Sequence, residues 1–198
     1  MFDLLKMPVL WLILPLTFVH YAPAGAIRGL WIGPYLRDVF DASQSQIGMA
    51  TLMMGLAMIA GVVMYGPLDR LVGSRKWVNF TGNALTAAVV LTLWAMPQPG
   101  MWTAVALMCA VGLFGASFPV MIAHGRSFVP PHLTGRGVTL LNLFGIGGVG
   151  LMQFASGRLH AGAQGGDVAA PYAAIFGFFG LALVAGLAVY LFSRDNTA

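Results

Sequence analysis

A chain of 198 residues that is 59% hydrophobic and only 8% charged, with a mean hydropathy of +0.83, cannot cover itself with a water-compatible surface. Its solvent is lipid. The formal net charge of +4 is not a nucleic-acid footprint, because the basic residues sort by membrane side rather than onto one patch.

Spanning a bilayer takes roughly 20 apolar residues per helix. Such stretches occur at 8–36, 46–66, 77–96, 101–123, 137–157 and 171–193. The fold class expected is an all-α membrane protein of six transmembrane helices, forming a single domain over 1–198. The first span follows Lys6, and Ala22-Pro23-Ala24 loosely resembles a signal-peptide cleavage site. Apolar sequence resumes from Leu30 to Leu36, so one long uncleaved helix is the simpler reading. Pro15, Pro23 and Pro34 interrupt this span, as Pro119 interrupts the fourth. Proline-kinked first and fourth helices suit a three-plus-three inverted repeat, about 1–97 and 98–198, although the two parts share no evident residue identity.

The second span carries Gly48, Gly55 and Gly61, and the fifth carries Gly145, Gly147, Gly148 and Gly150. Small residues let helix backbones approach in lipid, so these helices are expected to present a face suited to another six-helix body. Gly145–Gly150 is not a dinucleotide loop, because no strand precedes it. Between the second and third spans lies Gly66-Pro67-Leu68-Asp69-Arg70-Leu71-Val72-Gly73-Ser74-Arg75-Lys76, read as a tight basic loop in which Asp69 caps the next helix. Asn79, Asn83, Asn142 and Gln153 are amides within spans, expected to bond between helices. The lone Cys109 sits in an apolar run and reads as packing.

Arg28 is the one charge well inside a span. Helical stepping puts Thr17, Tyr21, Ala24, Gly25, Arg28, Trp31 and Tyr35 on one face, with His20 beside it. That stripe suits the wall of a water-filled cavity; anchoring of Arg28 at the interface, with an aromatic belt, is the other reading. The chain contains no glutamate, and its six aspartates fall in loops or termini. Proton coupling would therefore use His20 or a group outside this chain, whereas a packing histidine is the plainer role. No catalytic elbow, metal-ligand spacing or phosphate loop occurs, so no enzyme activity, metal or cofactor is expected.

The Gly66–Lys76 segment resembles the signature loop of the major facilitator superfamily, with Gly66, Leu68, Asp69, Arg70, Gly73, Arg75 and Lys76 supplying the residue types at shifted spacing. Gly25–Leu36 is similar to the seventh helix of bacterial members. Gly125–Gly137 is similar to the loop after their tenth. The resemblance covers the whole chain as the C-terminal half of a twelve-helix transporter. It implies that the first and fourth spans line the cavity, adding Ser117, Met121 and the Pro119 kink as lining candidates. It also implies that the signature loop gates by touching the opposite half. The function implied is half of a secondary transporter, moving a small solute by alternating access with a second six-helix half, either a separate chain or a second copy. A truncated, non-transporting membrane interaction module is the alternative. The expected setting is the bacterial inner membrane, with lipid contact and no nucleic acid.

Lys6, Arg70, Arg75, Lys76, Arg126, Arg136 and Arg194 fall on one side, and Arg37 and Arg158 on the other. This seven-to-two bias puts both termini in the cytoplasm. A single cysteine at Ser74, in a Cys109→Ala background, should react with impermeant reagent only in inside-out vesicles. Reaction from the outside alone would reverse the topology.

Overall fold

The computed structural model describes residues 2–163 and 165–196; the side chains of Phe2, Asp3 and Asp69 lie outside the described residues. Six helices are long and apolar enough to cross a membrane: α1 (Pro8–Phe40), α2 (Gln44–Val72), α3 (Arg75–Ala95), α4 (Met101–Arg126), α5 (Pro131–Gly162) and α6 (Ala170–Tyr190). No strand occurs among the described residues.

Two of the six are broken. α1 runs as Pro8–Val19, Ala22–Ala26, a π-helical turn Ile27–Trp31, and Ile32–Phe40. The break at His20–Tyr21 falls just before Pro23, which has no N–H to donate and disfavours helical geometry in the residue before it. α4 runs as Met101–Phe114 and Phe118–Arg126, joined by Gly115-Ala116-Ser117, with Pro119 in the first turn of the second part. There a proline loses nothing, because that turn's N–H groups have no intrahelical acceptor.

Several helices outrun their apolar stretches. α1 continues to Phe40 and stops where Asp41 turns left-handed at φ 51°, a conformation Asp tolerates. α2 continues through Pro67 to Val72, so Gly66, Leu68, Asp69 and Arg70 lie on its last turns and not in a loop. Only Gly73 and Ser74 leave helical geometry, and Gly73 adopts φ 68°, which favours glycine. The cap of α3 is Ser74, whose Oγ accepts from the Trp77 N–H at 3.2 Å. Ser74 holds the N-cap position; the expected capping contact of Asp69 falls on a side chain outside the described residues.

α1 packs on α5, α4 on α2, and α3 on α6. The helical bodies of α2 and α5 are each 29 residues long; α3 and α6 are each 21. Glycines set the closest crossings. Gly148 of α5 lies against the Phe18 carbonyl of α1, and Gly61 of α2 against the Leu113 carbonyl of α4. Fully buried Tyr35, Tyr172, Tyr190, Phe176 and Phe179 fill the bundle between them. α2 and α5 contribute least to this core: 22% and 28% of their apolar windows are buried, against 44–61% for the other four.

Neighbouring glycines on α5 separate the two uses of small residues. Around Gly147 nothing lies within 4 Å, whereas any side chain at Gly148 would collide with Phe18 backbone. Gly148→Val should cost about 3 kcal/mol of stability, the upper end of overpacking effects. Gly147→Val should leave the melting of the purified chain within error. Equal melting of both variants would refute the α1–α5 crossing.

Candidate functional site

The π turn Ile27–Trp31 is the local feature that positions the site. A π turn takes up an extra residue and is common at functional sites. Here it presents Arg28, Gly29 and Leu30 outward while Ile27 and Trp31 stay buried. The Arg28 guanidinium lies across Gly55 of α2. A methyl group built at Gly55 would sit 3.2 Å from both Nε and Nη2, so glycine is what lets the guanidinium settle there.

Arg28 has no hydrogen bond or ion pair among the described residues. It borders a cavity of about 300 Å³ with Leu52, Gly55, Leu56, Met58 and Ile59. Met58 and Ile59 also border a larger cavity of about 510 Å³, so the two adjoin along α2. Tyr21 of α1, Val62 of α2, Phe118 and Pro119 of the α4 break, and Ile146 of α5 complete the larger one. The result is an open trough across four helices, apolar along its length, with one cation at its end.

The α4 break that forms one wall is itself stabilised by polar contacts. Tyr65 of α2 donates to the Phe114 carbonyl at 2.7 Å, and Asn83 of α3 donates to Ser117 Oγ at 3.0 Å. Asn79 and Asn142 donate to the Arg75 and Val138 carbonyls of their own helices, and Asn79 also meets Tyr190 of α6.

Of the residues expected on one stripe, Tyr21 and Arg28 reach the trough. His20 lies beneath it, stacked on Phe118 with ring centres 5.5 Å apart. Its Nδ1 donates to the Thr17 carbonyl at 2.9 Å, and its Nε2 has no hydrogen-bond partner among the described residues. Thr17 is buried and donates to Ile13 of its own helix. Trp31 is buried and donates to Ser156 Oγ at 2.9 Å. Tyr35 is buried and donates to the Pro97 carbonyl at 2.8 Å, with its ring edge-on to Tyr172 and Phe176. Ser117 is buried as the acceptor from Asn83. Stepping in α-helical repeats through the π turn shifts the phase, so Trp31 and Tyr35 do not share the face of Arg28. Sequence reasoning missed Gly55, Met58, Ile59, Val62, Phe118 and Ile146. The one available hint was a glycine in α2 opposite a cation in α1.

At the far end of the bundle, the Gly73–Lys76 turn is tied to the last residues of the chain. Ser74 Oγ donates to Asp195, and Lys76 Nζ donates to the Leu191 carbonyl at 2.8 Å. His124, at the end of α4, donates from Nε2 to the Arg194 carbonyl at 3.0 Å, and its Nδ1 accepts from Tyr190 at 2.7 Å. Gly66, Leu68 and Arg70 lie one to two turns back along α2.

The family model of the Major Facilitator Superfamily matches residues 13–198, nearly the whole chain. The chain belongs to the Major Facilitator Superfamily. It is accordingly a multi-pass membrane protein of transporter type, and its six helices correspond to half of the superfamily fold. No curated protein matches it as a relative.

The broken wall of the trough depends on Tyr65. Tyr65→Phe should remove about 1 kcal/mol, the usual worth of an interhelical hydrogen bond in lipid. Unfolding of the reconstituted chain by denaturing detergent measures the loss. An unchanged midpoint would show that the Phe114 carbonyl is satisfied otherwise.

Proposed function

We propose that this chain is one half of a secondary transporter that carries a small solute by alternating access, and that it works with a second six-helix half. The observation that carries the reading is the pair of apolar stripes flanking the trough. On α2, Leu52, Leu56, Ile59 and Val63 are exposed at helical spacing; on α5, Leu143, Ile146 and Phe154 are exposed around the open Gly147 and Gly150. Pairing along these stripes would close the trough into a path between two halves, and small-residue faces favour such pairing. The two three-helix units, about 1–97 and 98–198, are supported by the matched broken helices α1 and α4 and by the exchanged packing of α1 on α5 and α4 on α2. The seven-to-two basic bias supports cytoplasmic termini, in a bacterial inner membrane by the family likeness. In this assembly the Gly73–Lys76 turn takes part in gating, and the protein works as a carrier rather than an enzyme.

Two labelling measurements test the reading in membranes. A cysteine at Gly150 should crosslink to a second copy or to a separate six-helix chain. A cysteine at Ile59 should react with impermeant reagent in both inside-out and right-side-out vesicles, because alternating access opens the trough to each side in turn. A crosslinked partner, with Ile59→Cys closed to both sides, would leave a non-transporting interaction module, and no partner at all would overturn both readings.

A further inference from the structure

We infer that the trough takes an amphipathic organic anion from water, with its charged head on Arg28 and its apolar body along Met58, Ile59, Val62, Phe118 and Ile146. The inference rests on the carrier reading and adds the chemical class of the solute. Three observations carry it. First, Arg28 has no counter-charge among the described residues, and neither cavity is lined by an acid. Second, Arg28 lies deep. It is nine residues from Arg37, about 13 Å along the helix. With Arg37 at the outer edge of a hydrocarbon core of roughly 30 Å, the backbone of Arg28 lies inside the outer half of the span. A cation at this depth is stable only beside water, a counter-ion or a ligand.

Third, what surrounds it is shaped for more than a small inorganic ion. The cavity beside Arg28 adjoins, at Met58 and Ile59, the apolar one lined by Tyr21. Tyr21 and Arg28 are seven residues apart, so the apolar part extends about 10 Å along α1. Tyr21 contributes the one hydroxyl near the apolar end, and it makes no hydrogen bond among the described residues. A carboxylate or phosphate suits the planar donor fork of arginine, and that fork lies over Gly55 of α2. A cationic solute would meet Arg28 as a like charge. A neutral one would leave the buried-depth charge unpaired.

The test uses the complete chain carrying Ile59→Cys and Cys109→Ala, reconstituted in phosphatidylcholine vesicles. Decanoate, decanol and decyltrimethylammonium are each asked to protect the cysteine from an impermeant maleimide. Decanoate should protect at about ten-fold lower concentration than decanol, as expected for one charge-assisted contact. Decyltrimethylammonium should protect no better than decanol. Arg28→Gln should erase the decanoate advantage, Arg28→Lys should keep part of it, and Arg37→Gln should keep all of it. Labelling in the absence of any ligand reports whether the trough is water-accessible at all. Failure of that labelling also in native membranes, where the second half is present, would sink the carrier reading, whereas normal labelling with equal protection by decanoate and decanol would sink only the solute class. Retention of the decanoate advantage in Arg28→Gln would also overturn the inference. So would protection by phosphatidylglycerol added to the vesicles, which would make the anion a lipid headgroup. Loss of decanoate protection in native membranes, where a partner's acid could occupy Arg28, would overturn it as well.

Discussion

Inside a bilayer, a carbonyl released from its helix must find another donor, and this constraint governs the molecule. Both broken helices border the trough, and both breaks create such carbonyls. At the α4 break the Tyr65 hydroxyl donates to the released Phe114 carbonyl, and Asn83 holds the neighbouring Ser117 through its side-chain hydroxyl. These contacts hold Phe118 and Pro119 where they can form a wall. Without them α4 would gain by straightening, and the larger cavity would lose one side. The interruption that makes a binding surface possible is thus maintained by side chains that never touch it.

The bundle also divides its glycines between two tasks. Gly61 and Gly148 bring backbones together within the half and set the α2–α4 and α1–α5 crossings. Gly147 and Gly150 meet nothing and lie on the exposed stripe. The low burial of α2 and α5 follows from the same division: each helix has one face committed to the bundle and one uncommitted. The trough lies between these two helices, so whatever covers the stripes also covers the site.

The six spans were legible because lipid imposes one simple pattern, a long apolar run, on every helix that crosses it. Their ends were less legible. Gly66–Arg70 is polar and glycine-rich, which reads as a loop, yet once a helix has left the hydrocarbon its hydrogen bonds favour continuing to Val72. Arg28 and Tyr21 were visible as site candidates because a charge in an apolar run stands out. Trp31 and Tyr35 were assigned the same face because a period of 3.6 was carried through a turn that does not obey it. The α2 wall was invisible for another reason: Leu52, Met58 and Ile59 look like any membrane-facing apolar residues until the pairing of α1 with α2 is known.

The position of Arg28 also bears on how the chain enters the membrane. α1 is made before α2, and on its own it would carry an uncompensated guanidinium inside the bilayer, at a cost of up to about 3 kcal/mol on translocon-derived scales. The surface that accommodates this group, the bare backbone at Gly55, belongs to the next helix. Ala42 and Ser43 are all that separate the left-handed stop at Asp41 from the first turn of α2. So short a connection lets the two helices leave the insertion machinery as one hairpin, with the charge already resting against its neighbour when it first meets lipid.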